Sequence, residues 1–125
     1  MMEIRPEGKR VFSIGELNQH VREIFQTHLP VIWVEGEISN LSQPASGHCY
    51  LTLKDQHAQV NCAMFRNRRY DLQFAPANGM QVIVRCKADL YSAQGKFQLI
   101  IEEMEEAGAG ALQRQFERLK NRLQI

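Results

Sequence analysis

Apolar and polar positions alternate at period two in five stretches of the chain: about Val31–Leu41, Gly47–Lys54, Gln59–Phe65, Gln81–Tyr91 and Lys96–Met104. Such alternation predicts half-buried strands, because successive side chains of a strand point to opposite faces. In the first stretch Ile32, Val34, Gly36 and Ile38 form a core face, and Trp33, Glu35, Glu37 and Ser39 form the opposite one. In the second, Cys49, Leu51 and Leu53 turn inward while His48, Tyr50, Thr52 and Lys54 turn outward. One face packs, and the other is free to bind.

Helical patterns flank the strands. Ser13 followed by Glu16 is a capping box, in which the serine oxygen accepts the Glu16 amide and the glutamate reaches back to the Ser13 amide; Phe12 and Leu17 are placed as its hydrophobic staple. Ile14, Leu17, Val21, Ile24 and Phe25 then form one stripe of a helix that is expected to dock on the strands. It must stop near Leu29, because Pro30 disfavours helical geometry in the residue before it. Beyond Gly108 a last helix carries Leu112, Phe116, Leu119 and Leu123 on a heptad-like seam shorter than two heptads, with the pattern still running at Ile125. Residues 1–12, polar and aperiodic, are expected to be a loose leader. The structured unit is then residues 13–107, and residues 108–125 read as the cut beginning of a helical linker.

Three strands, a connecting element from Arg66 to Gly79 and two further strands make a fold that is mainly β with flanking helices. A five-stranded Greek-key barrel of the OB type, with its helix between the third and fourth strands, has this order. The order also fits a simple meander or half of a sandwich. With 125 residues the chain has material for one core, burying roughly two thirds of its unfolded surface.

Composition and charge sharpen this picture. No apolar run reaches about 18 residues and no basic start precedes an apolar segment, so neither a membrane span nor a signal peptide is expected and the protein reads as cytoplasmic. Cys49, Cys62 and Cys86 are odd in number, lack Cys-x-x-Cys spacing and fall on the apolar parity of their strands, as reduced core residues do. The formal net charge of +1 hides an asymmetry: residues 41–100 carry seven basic and three acidic side chains, while both ends are acidic. The basic stripe of Lys54, Arg66, Arg68, Arg69, Arg85, Lys87 and Lys96 suits a polyanion.

Candidate catalytic chemistry is thin. Glu35 and Glu37 share a strand face without a third carboxylate or histidine nearby in the pattern, and His20, His28, His48 and His57 lack ligand spacing, so no metal site is expected. Gly108 and Gly110 are a fragment of a phosphate-binding loop at most. Ser39, Ser42 and Ser46 sit in no strand-turn-helix elbow, so nucleophilic catalysis is discarded, and no cofactor is implied. What survives is a series of aromatic and basic residues: His48 and Tyr50, Phe65 and Arg66, Arg85 and Lys87, Tyr91 and Lys96. Single-stranded nucleic acid asks for this pairing, since bases stack on rings while phosphates need cations along the path.

The segments FSIGELNQHVREIF, LPVIWVEGEISNLSQPASGHCYLTLKD, AQVNCAMFRNR, the strand from Gly79 to Arg85, and LIIEEMEEAGAGALQRQFERLK resemble the amino-terminal domain of the large subunit of bacterial exodeoxyribonuclease VII. They span nearly the whole chain. The resemblance implies an OB-fold domain that binds single-stranded DNA ahead of a separate catalytic region. It further implies a parent hydrolase that cuts single-stranded DNA to oligonucleotides without requiring divalent metal, in complex with several copies of a small subunit. The family's catalytic motif has no counterpart in these residues, so the segment alone is expected to be inactive. By position the resemblance carries a binding role onto Asn40, Ser46, Gly47, His48, Tyr50, Phe65, Arg66 and Tyr91. Together with the cations, the expected nucleic-acid-binding set is Asn40, Ser46, His48, Tyr50, Lys54, Phe65, Arg66, Arg85, Lys87, Tyr91 and Lys96. Cys49 stands where the family commonly has an aromatic and Asn61 where it has a basic residue, and the hairpin at Tyr91–Lys96 lacks the family's proline and arginine, which implies weaker binding than in relatives. An anticodon- or RNA-binding OB domain and a protein-docking domain fit the same surface.

Overall fold

The computed structural model describes the backbone of residues 3–4 and 8–123 and the side chains of residues 8–121. Along the chain the elements are β1 (Glu3–Ile4), β2 (Arg10–Val11), α1 (Ile14–His28), β3 (Ile32–Ser42), β4 (Cys49–Lys54), β5 (Gln59–Met64), α2 (Arg66–Arg69), β6 (Gln81–Tyr91), β7 (Lys96–Glu106) and α3 (Ala111–Leu123). Of the expected leader, β1 and β2 pair in a two-residue antiparallel ladder, and residues 1–2 and 5–7 lie outside the described residues, as does Ile125 at the far end.

Strands β3 to β7 close into a barrel in the order β3-β4-β5-β7-β6, with β6 pairing back onto β3. Closure, and the parallel pairing of β5 with β7, separate this architecture from a meander or half-sandwich, in which edges would stay open. The fold is the five-stranded OB-type barrel. Alternation drives it: Ile38, Cys49, Leu51, Leu53, Cys62, Met64, Val82, Val84, Cys86, Leu99 and Ile101 point inward and are buried in one cluster. Gly36 lies where β3 crosses tightly over β4; a Cβ there would come 3.2 Å from the Leu53 Cβ and 3.3 Å from the Lys54 carbonyl oxygen. Between β4 and β5, the Asp55 carboxylate accepts the amides of His57 and Ala58 at 2.8 and 2.9 Å, closing the turn and holding its own pKa below the usual carboxylate value.

The connecting element between β5 and β6 is a single helical turn, α2, followed by a loop. That loop returns to β3, where the Asn78 side chain accepts the Leu41 amide at 2.9 Å. It does so beside a bulge between Ser39 and Ser42, in which Asn40 adopts a left-handed φ of 51°.

The flanking helices dock differently from expectation. The Ser13 hydroxyl caps α1 by accepting the Glu16 amide at 3.1 Å, as the serine half of a capping box requires. Yet of the apolar stripe, Phe25 packs against the barrel and edge-on to Phe97, with ring centroids 5.5 Å apart, while Ile14, Leu17 and Ile24 stay exposed. The docked line is Asn18, Arg22 and Phe25, at spacings of four and three. Asn18 donates to the Ser92 carbonyl at 2.8 Å and Arg22 pairs with Asp89 at 3.0 Å. The barrel thus meets the edge of the stripe instead of its centre.

Candidate nucleic-acid interface

Strand parity places Tyr50 and Lys54 on the outer surface of β4, flanked by His48 just before the strand. Phe65 follows β5 and serves as the N-cap of α2, with an extended backbone and no side-chain cap. These local geometries bring four of the expected residues together. The His48 ring lies edge-on to Phe65 at 5.5 Å and to Tyr50 at 6.4 Å, and its Nδ1 accepts the Arg66 amide at 3.0 Å. Tyr50 and Phe65 are each 42% exposed, so both rings present part of their surface to water. Ser46 sits in the loop before them, where its hydroxyl is 3.5 Å from the His48 amide that donates to it.

Arg69 joins this corner although the aromatic-basic pattern did not select it. Its Nη1 donates to the Gly47 carbonyl at 3.1 Å, and the aliphatic stem of Arg66 covers the same glycine. The signal was present as Arg66-x-x-Arg69, since residues three apart share a face on a helical turn. Neither arginine, nor Arg68 between them, pairs with a carboxylate among the described residues.

The other expected cations are placed elsewhere. Lys54, at the opposite end of β4, pairs with Glu37 at 3.4 Å. Arg85 and Lys87 are on β6, where Arg85 reaches Glu102 at 3.3 Å and Glu103 at 3.1 Å, and Lys87 reaches Glu102 at 3.5 Å. A register shift beside Arg85 and Cys86 sets two β7 residues against one on β6, and so both glutamates meet one arginine. In a closed five-stranded barrel each strand turns the outward direction by about a fifth of a circle, so β6 faces well away from β4.

The register shows how the surface is laid out. Tyr50, Ala63, Ile100 and Lys87 are successive partners across β4, β5, β7 and β6, and Thr52, Asn61, Gln98 and Asp89 make the next row. Tyr91 and Lys96 pair across the β6–β7 hairpin, roughly 20 Å along the strands from the His48 corner at about 3.3 Å per residue. Lys96 makes no ion pair among the described residues, and Tyr91 is exposed. Asn40 has its side chain exposed at the β3 bulge, where its left-handed backbone is the structural feature. The expected residues therefore form one tight aromatic corner, a separate hairpin tip and a neutralised patch on β6.

Among the described residues no three His, Cys, Asp or Glu side chains converge as a metal set, and no helix is long and apolar enough to cross a membrane. Cys49, Cys62 and Cys86 are buried free thiols. Burial pushes Cys62 up to about 12 and Cys86 up to about 11, and raises Cys49 as well.

A family model described as an OB-fold nucleic acid binding domain matches residues 12–105. The exodeoxyribonuclease 7 large subunit of Thioalkalivibrio sulfidiphilus is 56% identical over 114 residues, which are 91% of this chain and 26% of that protein. The large subunit of the same name from Edwardsiella ictaluri is 53% identical over 120 residues, 96% of this chain and 26% of that protein. The chain thus spans about a quarter of the length of these curated relatives. A chain from the structure of a replication protein A heterotrimer bound to ssDNA superposes with a TM-score of 0.54 at 14% identity, covering 98% of this chain and 87% of its own length, a likeness of fold.

Proposed function

Because the chain belongs to the OB-fold nucleic acid binding domain family, we propose that it binds single-stranded DNA through Tyr50, Phe65, Arg66 and Arg69, which meet around His48 at one corner of the barrel. One observation carries this reading: two half-exposed rings and two arginines free of carboxylate partners among the described residues meet at one end of the β4–β5 surface. Rings stack unpaired bases and guanidiniums hold the phosphates between them. Tyr91 and Lys96 extend the path at the hairpin, with Ser46 and Asn40 bordering it. Lys54, Arg85 and Lys87, each paired with a glutamate, contribute least.

The identity of 53–56% to about a quarter of the length of exodeoxyribonuclease 7 large subunits supports placing this domain in a cytoplasmic enzyme that degrades single-stranded DNA to oligonucleotides with several copies of a small subunit. In that arrangement the barrel delivers the strand to a catalytic region and has no hydrolytic activity itself.

Fluorescence titration with single- and double-stranded oligonucleotides of DNA and RNA tests the reading. The expected result is preference for single-stranded DNA, and Tyr50→Ala weakens it by about 1–3 kcal/mol, the worth of one stacked base. Tighter binding of duplex, or no binding at low salt, would refute it. Preference for RNA would point instead to recognition of the 2′-hydroxyl.

A further inference from the structure

His48 is more constrained than a stacking ring should be. Its Nδ1 accepts the Arg66 amide at 3.0 Å, which requires that nitrogen to be unprotonated. Its ring is held edge-on between Phe65 and Tyr50 and is itself half-buried, whereas those two neighbours present their rings to solvent.

The amide it binds is a particular one. The first N–H groups of a helix lack intrahelical partners, and Phe65 at the N-cap of α2 offers no side-chain acceptor. Arg68 and Arg69 amides both turn back to the Phe65 carbonyl at 3.0 Å, and the Arg66 amide is taken by His48, 18 residues earlier in the chain. This bond ties the start of α2 to the start of β4. With that point held, the Arg66 stem lies over Gly47 and Arg69, one turn on, donates to the Gly47 carbonyl at 3.1 Å. One Arg69 nitrogen is used in this bond, and the remaining guanidinium donors are available to a ligand.

We propose that His48 is a positioning residue, whose Nδ1 latches the Arg66 backbone so that Phe65 is presented for stacking and Arg66 and Arg69 converge on the phosphate beside the stacked base. The proposal rests on the single-stranded DNA reading above and adds to it a division of labour. His48 builds the site, Tyr50 and Phe65 take bases, and the arginine pair takes the phosphate.

Two substitutions separate this from direct contact. In His48→Asn the amide oxygen stands where Nδ1 stood, keeping the acceptor and losing the ring. In His48→Gln the amide is carried out to the Nε2 position and the acceptor is misplaced. Hydrogen exchange of the Arg66 amide, followed by NMR without DNA, should stay slow in the wild type and His48→Asn and become about tenfold faster in His48→Gln, as the loss of one such bond implies. Affinity for an oligothymidylate should stay within about threefold of wild type in His48→Asn and fall about tenfold in His48→Gln, with thermal melting confirming that both variants fold. Equal affinity losses in both variants, or unchanged affinity in both, would overturn the positioning role. Unchanged Arg66 exchange in His48→Gln would overturn the latch itself, whatever the DNA result. A wild-type chain that binds no oligonucleotide, with the exchange pattern intact, would instead overturn the DNA reading and the ligand named here.

Discussion

At Gly47 the backbone has a φ of +89°, a left-handed conformation that L side chains rarely adopt, and a Cβ would come 2.7 Å from the Arg66 Cδ. The first effect costs about 1–2 kcal/mol. Gly47→Ala should therefore lower the unfolding free energy by about that amount in a urea titration. It should also weaken oligonucleotide binding, because Arg66 must leave its place to make room. Asn40, at φ 51°, meets the same backbone demand with a residue that tolerates it. Its place in the sequence-derived set thus has a conformational explanation alongside the functional one. The three thiols illustrate what residue parity reveals by itself: Cys49, Cys62 and Cys86 fall on inward positions and are buried there. The tightness of Gly47 against Arg66, by contrast, depends on a contact across 19 residues that no local pattern encodes.

The strands were legible because period-two alternation survives in them nearly unbroken, and β6 runs over the residues the pattern marked, Gln81–Tyr91. The alternation marks β7 only to Met104, whereas the strand runs to Glu106, its inward parity changed by the register shift beside Arg85. Leu99 and Ile101 point inward before the shift, Met104 and Glu106 after it. This is how a glutamate becomes buried. The Glu106 side chain, 4% exposed, accepts from Arg118 Nη2 at 2.7 Å and Arg114 Nε at 3.3 Å, and these two arginines pin α3 to the barrel. Arg118 also lies over the Phe74 ring, 5.6 Å from its centroid. The apolar seam of Leu112, Phe116 and Leu119 consequently faces outward, and the side that docks is polar. The hydrogen bond from Arg118 is the main cause that lowers the Glu106 pKa below its ordinary 4.5, opposed by burial and aided by the Arg118 and Arg114 charges. A carboxyl whose folded pKa is depressed stabilises the folded form above its unfolded pKa and loses that contribution as pH falls through the folded value. Docking of α3 should therefore be intact at neutral pH and weaken progressively below about pH 4.5. Hydrogen exchange of the α3 amides at stepped pH checks this, and Glu106→Gln should abolish the acid dependence.

On the scale of the whole molecule, a net charge of +1 says little about where a polyanion runs, because the charges are distributed by strand. Of the seven basic side chains in residues 41–100, Lys54, Arg85 and Lys87 are paired with glutamates, while Arg66, Arg68, Arg69 and Lys96 are not, among the described residues. The sequence made all seven equivalent, since the bulge that clasps Arg85 and the barrel curvature that turns β6 away are properties of closure. If a single strand follows β4 and β5 from the His48 corner to the hairpin, its phosphates meet at most about four unpaired cations. Each neutralised phosphate contributes about 0.7 to the salt dependence for single-stranded nucleic acid, so the slope of log K against log salt should be about −2 to −3. Replacing both clasping acids, Glu102→Gln with Glu103→Gln, releases Arg85 and Lys87. On this path the slope should stay the same, because the released cations face away from the strand, although overall affinity rises modestly with the added positive field. A slope steeper by about 1.4, two further phosphates, would instead route the strand over β6.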